Sequence, residues 1–233
     1  MPGPQRIPVE RKRRRPTSTG TVLTEELIVS AALELVEAPG TGTLTVRRLG
    51  TALGCDPSTL YRYFPSTDAI LLAVADRLIG DSLTGFTPGE DWIASLRDFA
   101  FRVHSSVLRH PRLATVRASR VTGGPGECHA VDTGLGIFLR AGFVPAEAVR
   151  RYRTFIDTVL AHAALDADVR SLSEQQRLQQ GEVWRTVHGS LPAERYPNLH
   201  AVREHLPEMA GSAFPDALEL MLAQFEAVRP ADG

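Results

Sequence analysis

Thr45–Ile70 reads TVRRLGTALGCDPSTLYRYFPSTDAI. Its apolar residues recur at helical spacing in two short runs: Val46, Leu49 and Leu53, then Leu60 and Phe64. Thr45 is placed to cap the first run. Gly54 can end that run in a left-handed conformation, which a residue with a Cβ resists. Asp56-Pro57 then restarts a helix, with aspartate as the cap and proline at the first helical position. Pro65 ends it. The spacing predicts two short helices joined by a tight turn, with Arg47, Arg48, Ser58, Thr59, Tyr61, Arg62 and Tyr63 on the outward side.

Those outward residues are the chemistry that duplex DNA needs. Arginine reaches guanine O6 and N7 with two donors, and threonine methyls touch thymine methyls. Hydroxyls and free backbone N–H groups at helix starts donate to phosphate oxygens. The same spacing occurs in bundles that never touch DNA, and paired arginines often form a solvated face.

Working outward, residues 24–38 predict a helix, with Leu27, Ile28, Ala31, Ala32, Leu35 and Val36 on one face and Pro39–Gly42 as its stop. After Pro65, Ser66 or Thr67 caps a longer helix through about Leu83, striped by Ile70, Leu71, Val74 and Leu78. Beyond Pro88 come three further stripes. They are Trp92/Leu96/Phe99/Val103/Val107, Val149/Tyr152/Ile156/Val159/Leu160/Ala163 and Ala217/Leu218/Met221/Leu222/Phe225/Val228. No strand pattern competes. The expectation is an all-α fold of nine or ten helices: a three-helix helix-turn-helix domain at residues 21–83, then a larger helical domain at 84–233.

The chain of 233 residues carries a net charge of only −1, unevenly placed. Residues 1–20 hold Arg6, Arg11, Lys12, Arg13, Arg14 and Arg15 against Glu10, an excess of +5. This reads as a disordered basic arm on a near-neutral body, suited to one polyanion-binding end. Cys55 and Cys128 form no disulfide framework or metal spacing, and no apolar run approaches membrane-spanning length. A cytoplasmic location is expected. The histidines show no paired ligand spacing, so neither metal nor cofactor is expected. There is no GxSxG, P-loop or dinucleotide glycine pattern, which argues against an enzyme.

LTVRRLGTALGCDPSTLYRYFPSTDAIL, with the preceding ELIVSAALELVEAPG, resembles the DNA-binding domain of tetracycline-repressor (TetR) family regulators. The resemblance implies that Thr45 contacts a phosphate and that Arg47 reaches a base edge, with Arg48 on the backbone. It sets Ser58, Thr59 and Tyr61 along the recognition helix, with Tyr61 and Tyr63 giving phosphate or methyl contacts and Arg62 beside them. The family usually has lysine where this chain has Thr67. Thr67 keeps a hydroxyl and an N–H for the phosphate but no charge, so binding should be weaker and less salt-dependent unless the arm compensates. The later segments are similar to the family's regulatory domain, which implies a small-molecule effector among the helices and a dimer formed through residues 149–164 and 217–228.

The sequence reading is therefore a homodimeric regulator, a repressor released from a palindromic operator by a small apolar effector, with the helix from Asp68 to Leu83 joining both parts. Two half-sites read by a symmetric dimer give the specificity that one short helix lacks. Trp92, Phe99, His104, Phe138, Phe155 and His162 are the expected effector wall, since aromatics with an occasional polar tip suit an apolar ligand. The alternative is an all-α ligand-binding protein with a vestigial helix-turn-helix. A weaker third reading is an enzyme that uses His104 or His162.

Overall fold

The computed structural model describes residues 22–38 and 43–230. The basic arm and the Pro39–Gly42 stop lie outside those residues. The described chain forms eleven α-helices, more than the nine or ten expected, because prolines split the later segments into short pieces. Two compact units result, Met1–Val74 and Ala75–Gly233, and the division falls inside one helix, α4 (Thr67–Ser82).

The first unit is built by local capping. In α1 (Glu25–Glu37) the Thr24 hydroxyl accepts from the Leu27 N–H at 3.2 Å. α2 (Val46–Leu53) starts with the Thr45 hydroxyl accepting from the Arg48 N–H at 3.3 Å. It ends at Gly54, whose φ of 61° is left-handed, and this sets the tight turn. α3 (Pro57–Leu60) starts with Asp56 accepting from the Ser58 N–H at 2.8 Å. Those donors hold the Asp56 carboxyl below its usual pKa. α3 is shorter than the expected 56–64 segment, because from Tyr61 onward the backbone tightens into i→i+3 bonds, Arg62 to Thr59 and Tyr63 to Leu60. Ile28, Val29, Ala32, Leu49, Leu53 and Leu60 are buried together with Leu23. Phe64 is only half-buried.

In the second unit, α5 (Trp92–Arg109), α7 (Pro125–Arg140), α8 (Pro145–Ser171) and α11 (Phe214–Ala227) share one core. Between α5 and α7 lie a 3-10 turn (Pro111–Leu113) and the short α6 (Ala114–Ser119). Phe99, Phe138 and Phe155 are fully buried at its centre. They meet edge to face, with centroids 5.7 Å apart for Phe99–Phe155 and 6.3 Å for Phe138–Phe155. Such pairs add about 1 kcal/mol each beyond area burial. The buried stripe of α8 runs Ala148, Tyr152, Phe155, Val159, Ala163, Ala167. Val149, expected inside, is exposed, because the stripe lies one residue earlier than its apolar neighbours suggest. α9 (Glu174–Glu182), a π-helical turn (Val183–His188) and a 3-10 turn (Leu206–Ala210) pack chiefly on one another, with the short α10 (Pro197–Ala201) between the two turns in sequence, and Leu206 is the one buried residue of these elements.

Gly54→Ala places a Cβ on the left-handed turn and should cost about 1–2 kcal/mol. Urea unfolding should show a lower midpoint at unchanged slope.

Candidate nucleic-acid interface and ligand cavity

On the first unit, Arg47, Ser58, Tyr61 and Arg62 are exposed, and Arg48 and Thr59 are partly so. Tyr61 stands 53% exposed, which is high for an aromatic on a short helix and leaves its ring available to a partner. Arg48 also donates to the Thr43 carbonyl at 3.0 Å, which fixes its side chain beside the α2 start. Thr45 is exposed and its hydroxyl already accepts one N–H. The Tyr63 hydroxyl donates to the Leu23 carbonyl, 2.8 Å away, and ties the lead-in to α1 onto the end of α3. At the α4 start, Ser66 is the capping side chain and accepts from the Ala69 N–H at 3.1 Å. Thr67 is the half-buried first residue of the helix.

The second unit contains a cavity of about 360 Å³. Its apolar wall includes Ile79, Phe99, Val103, Val131, Ile156 and Leu160, and its polar groups include Arg117, Glu127, Tyr152 and Asp157. Of the six residues expected to form an effector wall, only Phe99 borders this space. Trp92, Phe138 and Phe155 fill the aromatic core, because large rings gain more by packing on one another than by lining a void. His104 is buried against Asp166, with Nε2 to carboxylate 2.8 Å, and stacks on Phe214 at 3.9 Å. His162 lies beside the same ring at 6.3 Å. Ser212 donates to Asp166 as well, so the order is Ser–Asp–His. A hydroxyl nucleophile needs the histidine next to the serine, and here the aspartate separates them.

The sequence reading missed Asp76 and Arg117. Asp76, on α4, is buried. Its carboxylate accepts from the Thr122 hydroxyl (2.8 Å), the Gly126 N–H (3.0 Å) and the Glu127 N–H (2.9 Å). It thereby satisfies the orphan donors at the start of α7, where a negative charge also suits the helix dipole. The approach requires Gly126, since a Cβ there would lie 2.2 Å from the Asp76 carbonyl oxygen. The Glu127 carboxylate turns back to accept from the Thr122 and Gly123 N–H groups at 2.9 and 2.7 Å, and Glu127 also lines the cavity. The signal was present in Thr122–Glu127, TGGPGE, a run of free amides that needs an acceptor.

Arg117, on α6, is 3% exposed. One Nη donates to the Ser106 hydroxyl at 3.1 Å, and Ser106 in turn donates to the Leu78 carbonyl. Its Nε and the other Nη are buried without a partner. Burial, with Arg109 nearby, lowers its pKa to about 10, so it remains charged at neutral pH. Burial pushes the Tyr152 hydroxyl the other way, upward, with help from Glu127 and Asp157. Cys55 is half-buried with its thiol pKa raised by burial and Asp56, whereas Cys128, next to Glu127, is exposed. Among the described residues, no cluster of three or more His, Cys, Asp or Glu can hold a metal, and no helix is long and apolar enough to cross a membrane.

A helix-turn-helix head with an exposed arginine and hydroxyl face, followed by a helical body with a small cavity, is the arrangement of a DNA-binding regulator with a ligand-binding domain. Residues 28–74 match the bacterial regulatory proteins of the tetR family, and residues 85–229 match the tetracyclin repressor-like C-terminal domain. The chain belongs to the TetR family, whose members here are transcriptional regulators rather than enzymes. It is 33% identical over 210 residues to the class D tetracycline repressor protein of Escherichia coli, covering 88% of this chain and 89% of that protein. It is 28% identical over 225 residues to the HTH-type transcriptional repressor DrrR1 of Streptomyces coeruleorubidus, covering 91% of this chain and 83% of that one. Its fold is that of the Streptomyces coelicolor TetR family protein ActR in complex with actinorhodin, with a TM-score of 0.77 at 22% identity over 88% of this chain and 96% of that chain.

Asp76→Ala leaves the α7 start without its acceptor and should destabilise the protein by about 3–5 kcal/mol, the cost of removing one partner from a buried charged contact. Denaturant titration measures it.

Proposed function

We propose that this protein is a cytoplasmic, homodimeric repressor that binds a palindromic operator and releases it when a small molecule fills the cavity. The exposed face of the helix-turn-helix carries this reading. Thr45 and Thr67 start the two helices that flank it and offer phosphate donors. Arg47 reaches a base edge, and Arg48 holds the backbone. Ser58, Thr59, Tyr61 and Arg62 lie along the recognition segment. Two relatives bear repressor names, and one similar fold holds a small molecule.

The dimer forms through α8 and α11, which pack against each other and still leave Leu165 and Leu220 exposed, at 65% and 74%. Outward leucines on adjacent helices are costly in water and are relieved by a second copy. The coupling runs through α4. The cavity wall at Glu127 is continuous with the α7 start, and that start is held by Asp76 on α4. A ligand that displaces this wall shifts the helix that also belongs to the DNA-binding unit. By linkage, operator DNA weakens ligand binding by the same factor.

Footprinting on DNA upstream of the gene should reveal a palindrome with half-sites about one duplex turn apart. Arg47→Ala should weaken binding about tenfold or more, and Thr67→Lys should strengthen it and steepen the salt slope by about one. No salt-sensitive binding anywhere would leave the chain an all-α ligand-binding protein. Leu220→Arg should shift the mass seen by light scattering from dimer to monomer at micromolar concentration, and a dimer that survives both this change and Leu165→Arg refutes the assigned face.

A further inference from the structure

Several polar groups on the cavity wall are already engaged by the protein itself. Ser82 donates to the Ile79 carbonyl at 2.6 Å, and Ser119 to the Thr115 carbonyl at 2.7 Å. Glu127 accepts from the Thr122 and Gly123 N–H groups, and Asp157 lies 3.4 Å from Arg153. Tyr152 differs. It lines the cavity and is only 8% exposed, yet its hydroxyl makes no hydrogen bond to any described residue. The hydroxyl end of the ring lies at this wall. Burial raises its pKa, and the two carboxylates that raise it further, Glu127 and Asp157, line the same cavity. At neutral pH the group therefore keeps its proton. The ring also has a set direction, because it lies against the α7 backbone at Gly134, where a Cβ would come 2.2 Å from its Cε2. A buried hydroxyl left unpaired is costly, and an acceptor on a ligand offsets that cost. A phenolic hydroxyl donates more readily than it accepts, since its lone pairs are shared with the ring, so the matching group is an acceptor.

We infer that the cavity takes an apolar molecule bearing a carbonyl, which accepts from the Tyr152 hydroxyl while the body packs against Phe99, Val103, Ile156 and Leu160. The inference rests on the cavity being the effector site and adds the one polar feature the effector carries. Selectivity follows from burial. A purely apolar ligand of the same shape would cover the hydroxyl and leave it without a partner, which a carbonyl does not.

The test uses the full chain and two probes of one shape, 2-acetylnaphthalene and 2-isopropenylnaphthalene, in which a methylene replaces the carbonyl oxygen. Calorimetric titration should show that Tyr152→Phe weakens the ketone about three- to tenfold, the worth of one neutral hydrogen bond, and does not weaken the hydrocarbon. The carbonyl stretch of the bound ketone should lie at lower frequency in the wild type than in Tyr152→Phe. Empty Tyr152→Phe should melt no lower than the wild type, because the hydroxyl it lacks has no partner in the protein. A variant that melts lower or does not fold shows that hydroxyl bonded within the protein and overturns the assignment. Binding of both probes with an unchanged ratio in Tyr152→Phe overturns the carbonyl contact and leaves the effector cavity standing. Binding of neither probe by the wild type removes both.

Discussion

The second unit is organised around one buried carboxylate. Asp76 carries a charge out of water and is tolerated because three donors converge on it, two of them backbone N–H groups at the start of α7. The bonds work in both directions. They end α7 without orphaned amides, and they fix α4 at the wall of the cavity. Gly126 is the steric condition for this, since only a residue without a Cβ lets the α7 backbone come so near the Asp76 carbonyl. Removing the aspartate would therefore loosen a helix start, a cavity wall and the helix shared with the DNA-binding unit at once.

The two halves of the chain use polar groups in opposite ways. In the helix-turn-helix, Thr24, Thr45, Asp56 and Ser66 each satisfy a nearby N–H, and the core beneath is small and apolar. In the ligand-binding unit, the aromatic core is dense and the polar groups are few, buried and deliberately placed: Asp76 fully paired, His104 paired with Asp166, Arg117 half paired. Full pairing of such groups rigidifies the region around them.

What the sequence made legible follows from range. Capping by Thr45 and Asp56, the left-handed Gly54 and the burial of Leu49, Leu53 and Leu60 depend on residues within a turn or two, so periodicity and turn chemistry found them. The family resemblance reached the helix-turn-helix for the same reason, since its marks are contiguous. The cavity was not legible, because its wall draws on residues from Ile79 to Leu160 and no local pattern separates a ring that lines a void from one that packs on another ring. Phe138 and Phe155, expected at the effector, pack in the core and do not line this cavity. Arg117 lay in a stretch without a strong stripe, and its burial comes from segments distant in sequence. The bond from Tyr63 to the chain before α1 was not legible either, because the two are 40 residues apart.

The two thiols stand in contrasting surroundings. Cys55 is half-shielded, and its neighbour Asp56 discourages the reactive thiolate. Cys128 is open to solvent and adjoins Glu127, at the junction of cavity wall and helix start. Thiolate availability governs alkylation, so a maleimide dye attaches preferentially to Cys128 in the unaltered protein. The molecule thus carries a native attachment point for a fluorophore at the place where a ligand's arrival would be felt, and no engineered cysteine is needed to watch that movement in real time.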